Sequence, residues 1–403
     1  MHSPNRPITR RSFLSSTAAT AGAAFAAGAL PAAPAIAGAA RVKVGLLLPY
    51  SGTYAMLGNA ITDGLKLRLA EAGGKLGGRE VEFVVVDSEM SVPKAPQNTS
   101  KLIGKEKVDF LVGPVHSGIA AAMARIVGAK GAPILIVPNA GSNAVTRQFC
   151  APNIFRTSFS NWQPAYPGGK VMADDGHKTA VTIAWKYAAG IQMMQAGRTA
   201  FEKAGGKVIK DILVPFPSVE FQAYLSEIAA LKPDAVYAFF SGGGAVKFVK
   251  DYAAAGLKDK IALYGPGFLT EGVSRAQGAA AEGVKTTLHY ADNLDLPANK
   301  AFRAAYKKAY GKEANVFAVQ GYDTGSLLLT AMEKVKGDTG ATKEMIATME
   351  AAKLKSPRGD ISFSKAHNVV QDIYLRKVVK GEQQLVGVVA RQLADPAQGC
   401  RLA

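Results

Sequence analysis

LVGPVHSGIAAAMARI, residues Leu111–Ile126, runs from an apolar stretch through a Gly-Pro turn into an alanine-rich segment. The change from continuous apolar residues to helical composition predicts a strand, a tight turn and a helix, the repeating unit of a parallel α/β sheet. His116 and Ser117 stand directly before the helix. Two readings of the serine are open: a nucleophile on a strained elbow, or a hydroxyl holding an anion at a helix N-terminus.

The same unit recurs on both sides. VKVGLLLP (Val42–Pro49), VEFVVVD (Val81–Asp87), VDFLVG (Val108–Gly113) and APILIVP (Ala132–Pro138) are short apolar runs separated by helix-like stretches, the first over about 58–71. Continuous apolar strands with helical crossovers imply a sheet covered on both faces. After FRTSFSNWQPA (Phe155–Ala165) the rhythm restarts with TAVTIAW (Thr179–Trp185), GKVIKDILV (Gly206–Val214), PDAVYAFF (Pro233–Phe240) and KIALYG (Lys260–Gly265). VKTTLHY (Val284–Tyr290) leads into helical patterns over 299–310, 316–335 and 342–352. Without strands of their own these helices must pack on the first sheet. DISFS (Asp360–Ser364) and NVVQDIYLRKVV (Asn368–Val379) are strand-like and are expected to return to the second. The fold class expected is therefore α/β, two Rossmann-like lobes with parallel-rich sheets. Lobe 1 comprises 41–159 plus 291–358 and lobe 2 comprises 160–290 plus 359–403, joined by a three-crossover hinge near 158–161, 289–291 and 356–361.

The N-terminus reads as an address. Arg10-Arg11 followed by Phe13-Leu14, a charge-free run to Ile36 and the small pair Ala35 and Ala37 match a twin-arginine-type signal peptide over 1–37, with an ordinary secretory signal as the alternative. Its removal leaves about 365 of the 403 residues, too many for one compact core, with no apolar run near the ~20 residues that span a bilayer. The expected location is the periplasm. The net charge of +17 falls to about +14 without Arg6, Arg10 and Arg11. The basic residues are scattered, without a basic stripe interleaved with aromatics, so nucleic acid is not an expected partner. Cys150 and Cys400 meet an oxidising compartment and are expected to pair, two unrelated thiols being the alternative.

Catalytic and cofactor patterns are weak. A nucleophile elbow needs small residues two places either side of the serine, where Val115 and Ile119 stand. The five histidines are scattered without metal-ligand spacing, and Gly242-Gly243-Gly244 lacks the full dinucleotide fingerprint. No enzyme activity, cofactor or metal is expected. Two strand-end turns instead suit an anion: Gly113–Gly118 with Ser117, and Pro138–Asn143 with Ser142. Helix capping by these serines is the alternative.

Several motifs in fixed order carry a resemblance. SGTYAMLGNAITDGLKL (Ser51–Leu67), LVGPVHSG (Leu111–Gly118), FRTSFSNWQ (Phe155–Gln163), YAAGIQMMQAG (Tyr187–Gly197), KPDAVYAFFSGGGAVKFVKDYAAAGL (Lys232–Leu257) and GYDTGSLLLTAME (Gly321–Glu333) are similar to the leucine/isoleucine/valine-type periplasmic binding proteins of ABC transporters. Within that group FRTSFSNWQ, NKAFRAAY (Asn299–Tyr306) and SPRGDISF (Ser356–Phe363) resemble the branch associated with aromatic acids. The resemblance implies a cleft that closes by hinge motion on a small carboxylate, and delivery to a membrane ABC permease by a monomer. It places the carboxylate at Ser117, with His116 beside it, and at the turn Asn139, Ala140, Gly141 and Ser142. Gly141 stands where amino-acid binders carry a threonine-type hydroxyl, and Gly244 where they carry the glutamate that pairs with the ligand ammonium. A buried ammonium without an anionic partner is strongly penalised. Free amino acids are thereby disfavoured unless Glu220 or Glu271 supplies the charge. Tyr54, Trp162, Tyr187, Phe268 and His289 fall at strand ends and crossovers, where they suit either the core or a flat apolar ligand clamped between rings. The expectation is an aromatic acid of benzoate, hydroxybenzoate or hydroxycinnamate type, with a branched-chain amino acid second. A hydrolase using Ser117 and a sensor module are more remote readings.

Overall fold

The computed structural model describes residues 41–129 and 131–403; the signal-peptide reading of 1–37 lies outside them. Two sheets organise the chain. The first has six strands: β1 (Val42–Leu48), β2 (Lys75–Leu76), β3 (Arg79–Asp87), β4 (Phe110–Val112), β5 (Ile134–Val137) and β6 (Ile154–Arg156), in the order β2-β3-β1-β4-β5-β6. All its pairings are parallel except the β2–β3 hairpin. The alternating pleat explains why β1 is apolar at every position but Lys43. Leu47 packs with Leu111, Ile119 and Met123 on one face, while Val44, Leu46 and Leu48 pack with Ile61, Leu65 and Ile136 on the other.

The second sheet holds β7 (Thr179–Trp185), β8 (Lys207–Val214), β9 (Ala235–Phe239), β10 (Ala262–Pro266), β11 (Lys285–Leu288), β12 (Leu354–Ser356), β13 (Gly359–Phe363), β14 (Val369–Val379) and β15 (Glu382–Leu393). Its order is β12-β13-β14-β11-β10-β9-β7-β8, with β15 beside β14. β7 to β11 pair in parallel and the C-terminal strands add antiparallel.

The chain passes between the two halves over 157–161, 289–296 and 351–358. After the second passage, helices Pro297–Tyr310, Val316–Lys334 and Thr342–Glu350 follow one another without a strand between them. Val316–Lys334 crosses Ala55–Glu71 at backbone contact. A Cβ on Gly64 would stand 1.9 Å from the Ala318 carbonyl oxygen, and one on Gly321 1.9 Å from that of Ile61, so glycine at both positions is what permits the approach. Beyond β15 the tail returns toward β6. Asp395 pairs with Arg147 at 3.0 Å, and Cys400 is joined to Cys150 by a disulfide of S–S 2.10 Å. Among the described residues no helix is long and apolar enough to cross a membrane.

Candidate functional site

β4 ends at Val112, and the turn that follows delivers Ser117 as the first residue of the helix Ser117–Val127. Capping falls to its neighbour. The Nδ1 of His116 accepts the Gly118 N–H at 3.0 Å, which leaves the Ser117 hydroxyl free of the cap. The adjacent turn is bound to this one through the Ala140 N–H, which donates to the Pro114 carbonyl at 3.0 Å. Asn139 donates from Nδ2 to Gln320 Oε1 at 2.7 Å.

A cavity lies between these turns and the strand ends of the second sheet. Ser117, Asn139, Gly141 and Asn161 supply its polar wall, and Tyr54, Phe159, Tyr187, Phe239, Phe268 and Phe317 its rings, with Leu57, Val115, Ala189, Met193 and Ser241 completing it. Phe159 lies against Phe268 with centroids 4.8 Å apart. Contacts across the cleft hold the halves together. Tyr54 and Tyr187 share a hydroxyl hydrogen bond of 2.9 Å, His116 stacks on Tyr187 at 4.8 Å, and the Asn143 N–H donates to Gln192 Oε1 at 3.0 Å. Among the lining residues there is no Asp, Glu, Lys, Arg or His.

Of the residues singled out in the sequence, Ser117, Asn139, Gly141, Tyr54, Tyr187 and Phe268 meet at this cavity. The others are placed differently. His116 lies behind Tyr187 as the helix cap. Ala140 is fully buried, and Ser142 turns its carbonyl to the Arg156 guanidinium at 2.7 Å. Trp162 packs on Tyr166 with ring centroids 4.8 Å apart and is not among the cavity-lining residues. Gly244 sits in the helix Gly242–Ala254 against Trp185, whose ring atom would be 2.2 Å from a Cβ there; Ser241, before that helix, faces the cavity instead. His289 is buried behind Phe159, 5.2 Å from it, and bonds Gln320 at 3.1 Å. Neither alternative acid reaches the site. Glu220 is exposed, while Glu271 is buried, paired with Arg376, and accepts the Val316 N–H at 2.8 Å. Phe159 and Asn161 were legible as part of FRTSFSNWQ, and Ser241 as the residue directly after the apolar run PDAVYAFF. Phe317 carries no such signal.

Burial holds the His116 ring down to about 4, so it is neutral at pH 7 and its Nδ1 remains an acceptor. In the unfolded chain the ring titrates near ~6.5. The unfolded state therefore takes up the proton first as pH falls, and stability is expected to decline from about pH 6.5 toward 4. In His116→Asn an amide oxygen supplies an acceptor that does not titrate. Urea unfolding across this window is expected to show a slope smaller by up to ~1.4 kcal/mol per pH unit in the variant; an identical slope contradicts the assignment.

A periplasmic binding protein family model matches residues 41–383. The chain belongs to that family. Among curated relatives, this periplasmic binding protein is 34% identical over 352 residues to Leu/Ile/Val-binding protein homolog 6 of Brucella melitensis, covering 85% of this chain and 88% of the relative. Among solved structures it is similar to the solute-binding protein of an ABC transporter from R. palustris in complex with benzoate, at 53% identity, TM-score 0.88, and coverage of 90% of this chain and 100% of that one. A solute-binding protein of an ABC transporter from Rhodopseudomonas palustris BisB5, in complex with 3,4-dihydroxybenzoic acid, is 32% identical with TM-score 0.83, covering 88% and 99%. The type I periplasmic binding fold, two parallel-rich sheets facing each other across a cleft, is the architecture of this binding protein.

Proposed function

We propose that this protein is the exported substrate-capturing component of an ABC importer and that its ligand is an aromatic carboxylate of benzoate or hydroxybenzoate type. The observation that carries the reading is the cavity wall: six aromatic rings, the hydroxyl and amide groups of Ser117, Asn139, Asn161 and Ser241, and no ionic side chain. An apolar ring gains from burial between aromatic side chains. Its carboxylate would be held by the Ser117 hydroxyl and by the backbone N–H groups of Ser117 and Gly141, which donate to no partner among the described residues. The N-terminus of the helix Ser117–Val127 adds its dipole. An amino acid would bring an ammonium into a wall with no acid to receive it, a burial that carries a severe penalty. The benzoate complex of a 53% identical protein supports the same class.

Capture without turnover fits the chemistry of the turn. The Nδ1 of His116 is occupied by the Gly118 N–H, so the ring next to Ser117 does not serve it as a base through that atom. Residues 1–37 would direct export by the twin-arginine route to the periplasm. There the halves, 41–159 with 291–358 and 160–290 with 359–403, would close on the ligand as a monomer, and the closed form would be presented to a membrane permease.

Thermal shift on protein stripped of ligand by unfolding and refolding tests this. Benzoate at 100 times its dissociation constant is expected to add about 2.7 kcal/mol, while leucine adds nothing. Ser117→Ala is expected to weaken benzoate about tenfold through loss of a hydrogen bond to a charged group. Stabilisation by leucine and not by benzoate would move the assignment to branched-chain amino acids.

A further inference from the structure

The cavity wall carries one acceptor without a donor. Asn161 is fully buried and lines the cavity, and its Oδ1 has no hydrogen-bond partner among the described residues. Which amide atom is the oxygen follows from its neighbours. The Asn143 backbone N–H can only donate, so the Gln192 atom 3.0 Å from it is the oxygen. That oxygen is also 2.8 Å from Asn161, so the Asn161 atom facing it is the nitrogen. The same Nδ2 donates to Ser117 Oγ at 3.3 Å.

Two consequences follow from this polarity. Ser117 Oγ already accepts from Asn161, so its proton is left to donate to the ligand. Beside it Asn161 sets an oxygen, not an N–H, against Gly141, its neighbour in the cavity wall: a Cβ on residue 141 would be 2.2 Å from Oδ1. A bare carboxylate matches the serine and has no proton for the amide oxygen. A ligand that satisfies both carries a hydrogen-bond donor next to its carboxylate.

We propose that Asn161 is a specificity-determining residue that selects aromatic acids with a donor ortho to the carboxylate, 2-aminobenzoate being the simplest. The inference rests on the aromatic-acid reading above. One amine hydrogen of 2-aminobenzoate lies toward its own carboxylate and the second is free for Asn161 Oδ1. The single phenolic hydrogen of 2-hydroxybenzoate is held by its own carboxylate, so that acid gains less.

Isothermal titration of the refolded protein with benzoate, 2-methylbenzoate, 2-aminobenzoate and 4-aminobenzoate tests the proposal. Pairing a buried orphan acceptor is expected to make 2-aminobenzoate bind about tenfold tighter than 2-methylbenzoate, which has the same shape and no donor. 4-Aminobenzoate gains nothing comparable over benzoate, and in Asn161→Ala the preference for 2-amino over 2-methyl disappears. Equal affinities for those two acids in the wild-type protein overturn the proposal without any variant. A preference that survives Asn161→Ala overturns the assignment to Asn161. Benzoate binding with no ortho-amino preference removes this inference and leaves the ligand class standing, whereas failure of all four acids to bind removes both.

Discussion

Replacing Arg358 by Ala is expected to destabilise the fold by about 3–5 kcal/mol, the loss typical of a buried ion pair broken on one side. Arg358 is buried at the third passage between the halves. Its guanidinium pairs with Asp323 at 2.8 Å and donates to the carbonyls of Thr157 and Ser158 and to Gln371. Those partners lie on the helix Val316–Lys334, on the first passage and on β14, so one cation ties two hinge segments to both halves. Its removal leaves Asp323, 1% exposed, as an uncompensated charge. The urea midpoint should fall with the m-value unchanged. Arg358→Met combined with Asp323→Leu is expected to recover much of the loss, because the penalty comes from the stranded carboxylate. Equal losses in the single and double variants would place the source in the carbonyl contacts instead.

Gly141→Thr is expected to lower benzoate affinity about 100-fold, since overpacking a tight site costs about 1–3 kcal/mol and here also displaces the wall that faces the ligand. The backbone accepts a side chain, because Gly141 is not among the positive-φ glycines. The space does not. A Cβ would stand 2.2 Å from Asn161 Oδ1 and 2.4 Å from Phe159 Cε2. Asn161 is held by Gln192 and Ser117, and Phe159 is wedged between Phe268 and His289, so neither yields freely. The substitution restores the hydroxyl that the resemblance places here in amino-acid binders. No gain of leucine binding is expected, because no acid lines the cavity for the ammonium. Isothermal titration with benzoate and leucine reads both outcomes; undiminished benzoate affinity would show that this turn does not shape the site.

Much of the architecture was legible because burial on both faces leaves a strong mark. β7 spans Thr179–Trp185, the same bounds that TAVTIAW suggested, and β1 ends one residue before the end of VKVGLLLP. The elements the sequence did not reveal are those without a periodic apolar signal. β2 is a two-residue hairpin arm, β6 is three residues just before the segment that read as hinge, and β15 is a long strand whose exposed positions dilute its pattern. At the site, turns directly after parallel strands were found because the strand C-terminal end is a topological rule. The position that the resemblance gives to the ammonium-pairing glutamate did not hold: Gly244 packs on Trp185, while the cleft-facing residue is Ser241.

By itself the sequence determined the α/β class and the order of the strands along the chain, and it marked the two turns that meet at the cavity, since each depends on residue types at short spacing. Only the tertiary structure decided that His116 caps the helix and frees Ser117, that Glu271 is spent on Arg376 and the Val316 N–H, and that the amide oxygen of Asn161, a cavity-lining residue, is left without a partner. Those outcomes depend on hydrogen-bond partners tens to hundreds of residues away in most cases. A donor or acceptor acquires its role from the neighbour that satisfies it first, and folding alone selects that neighbour.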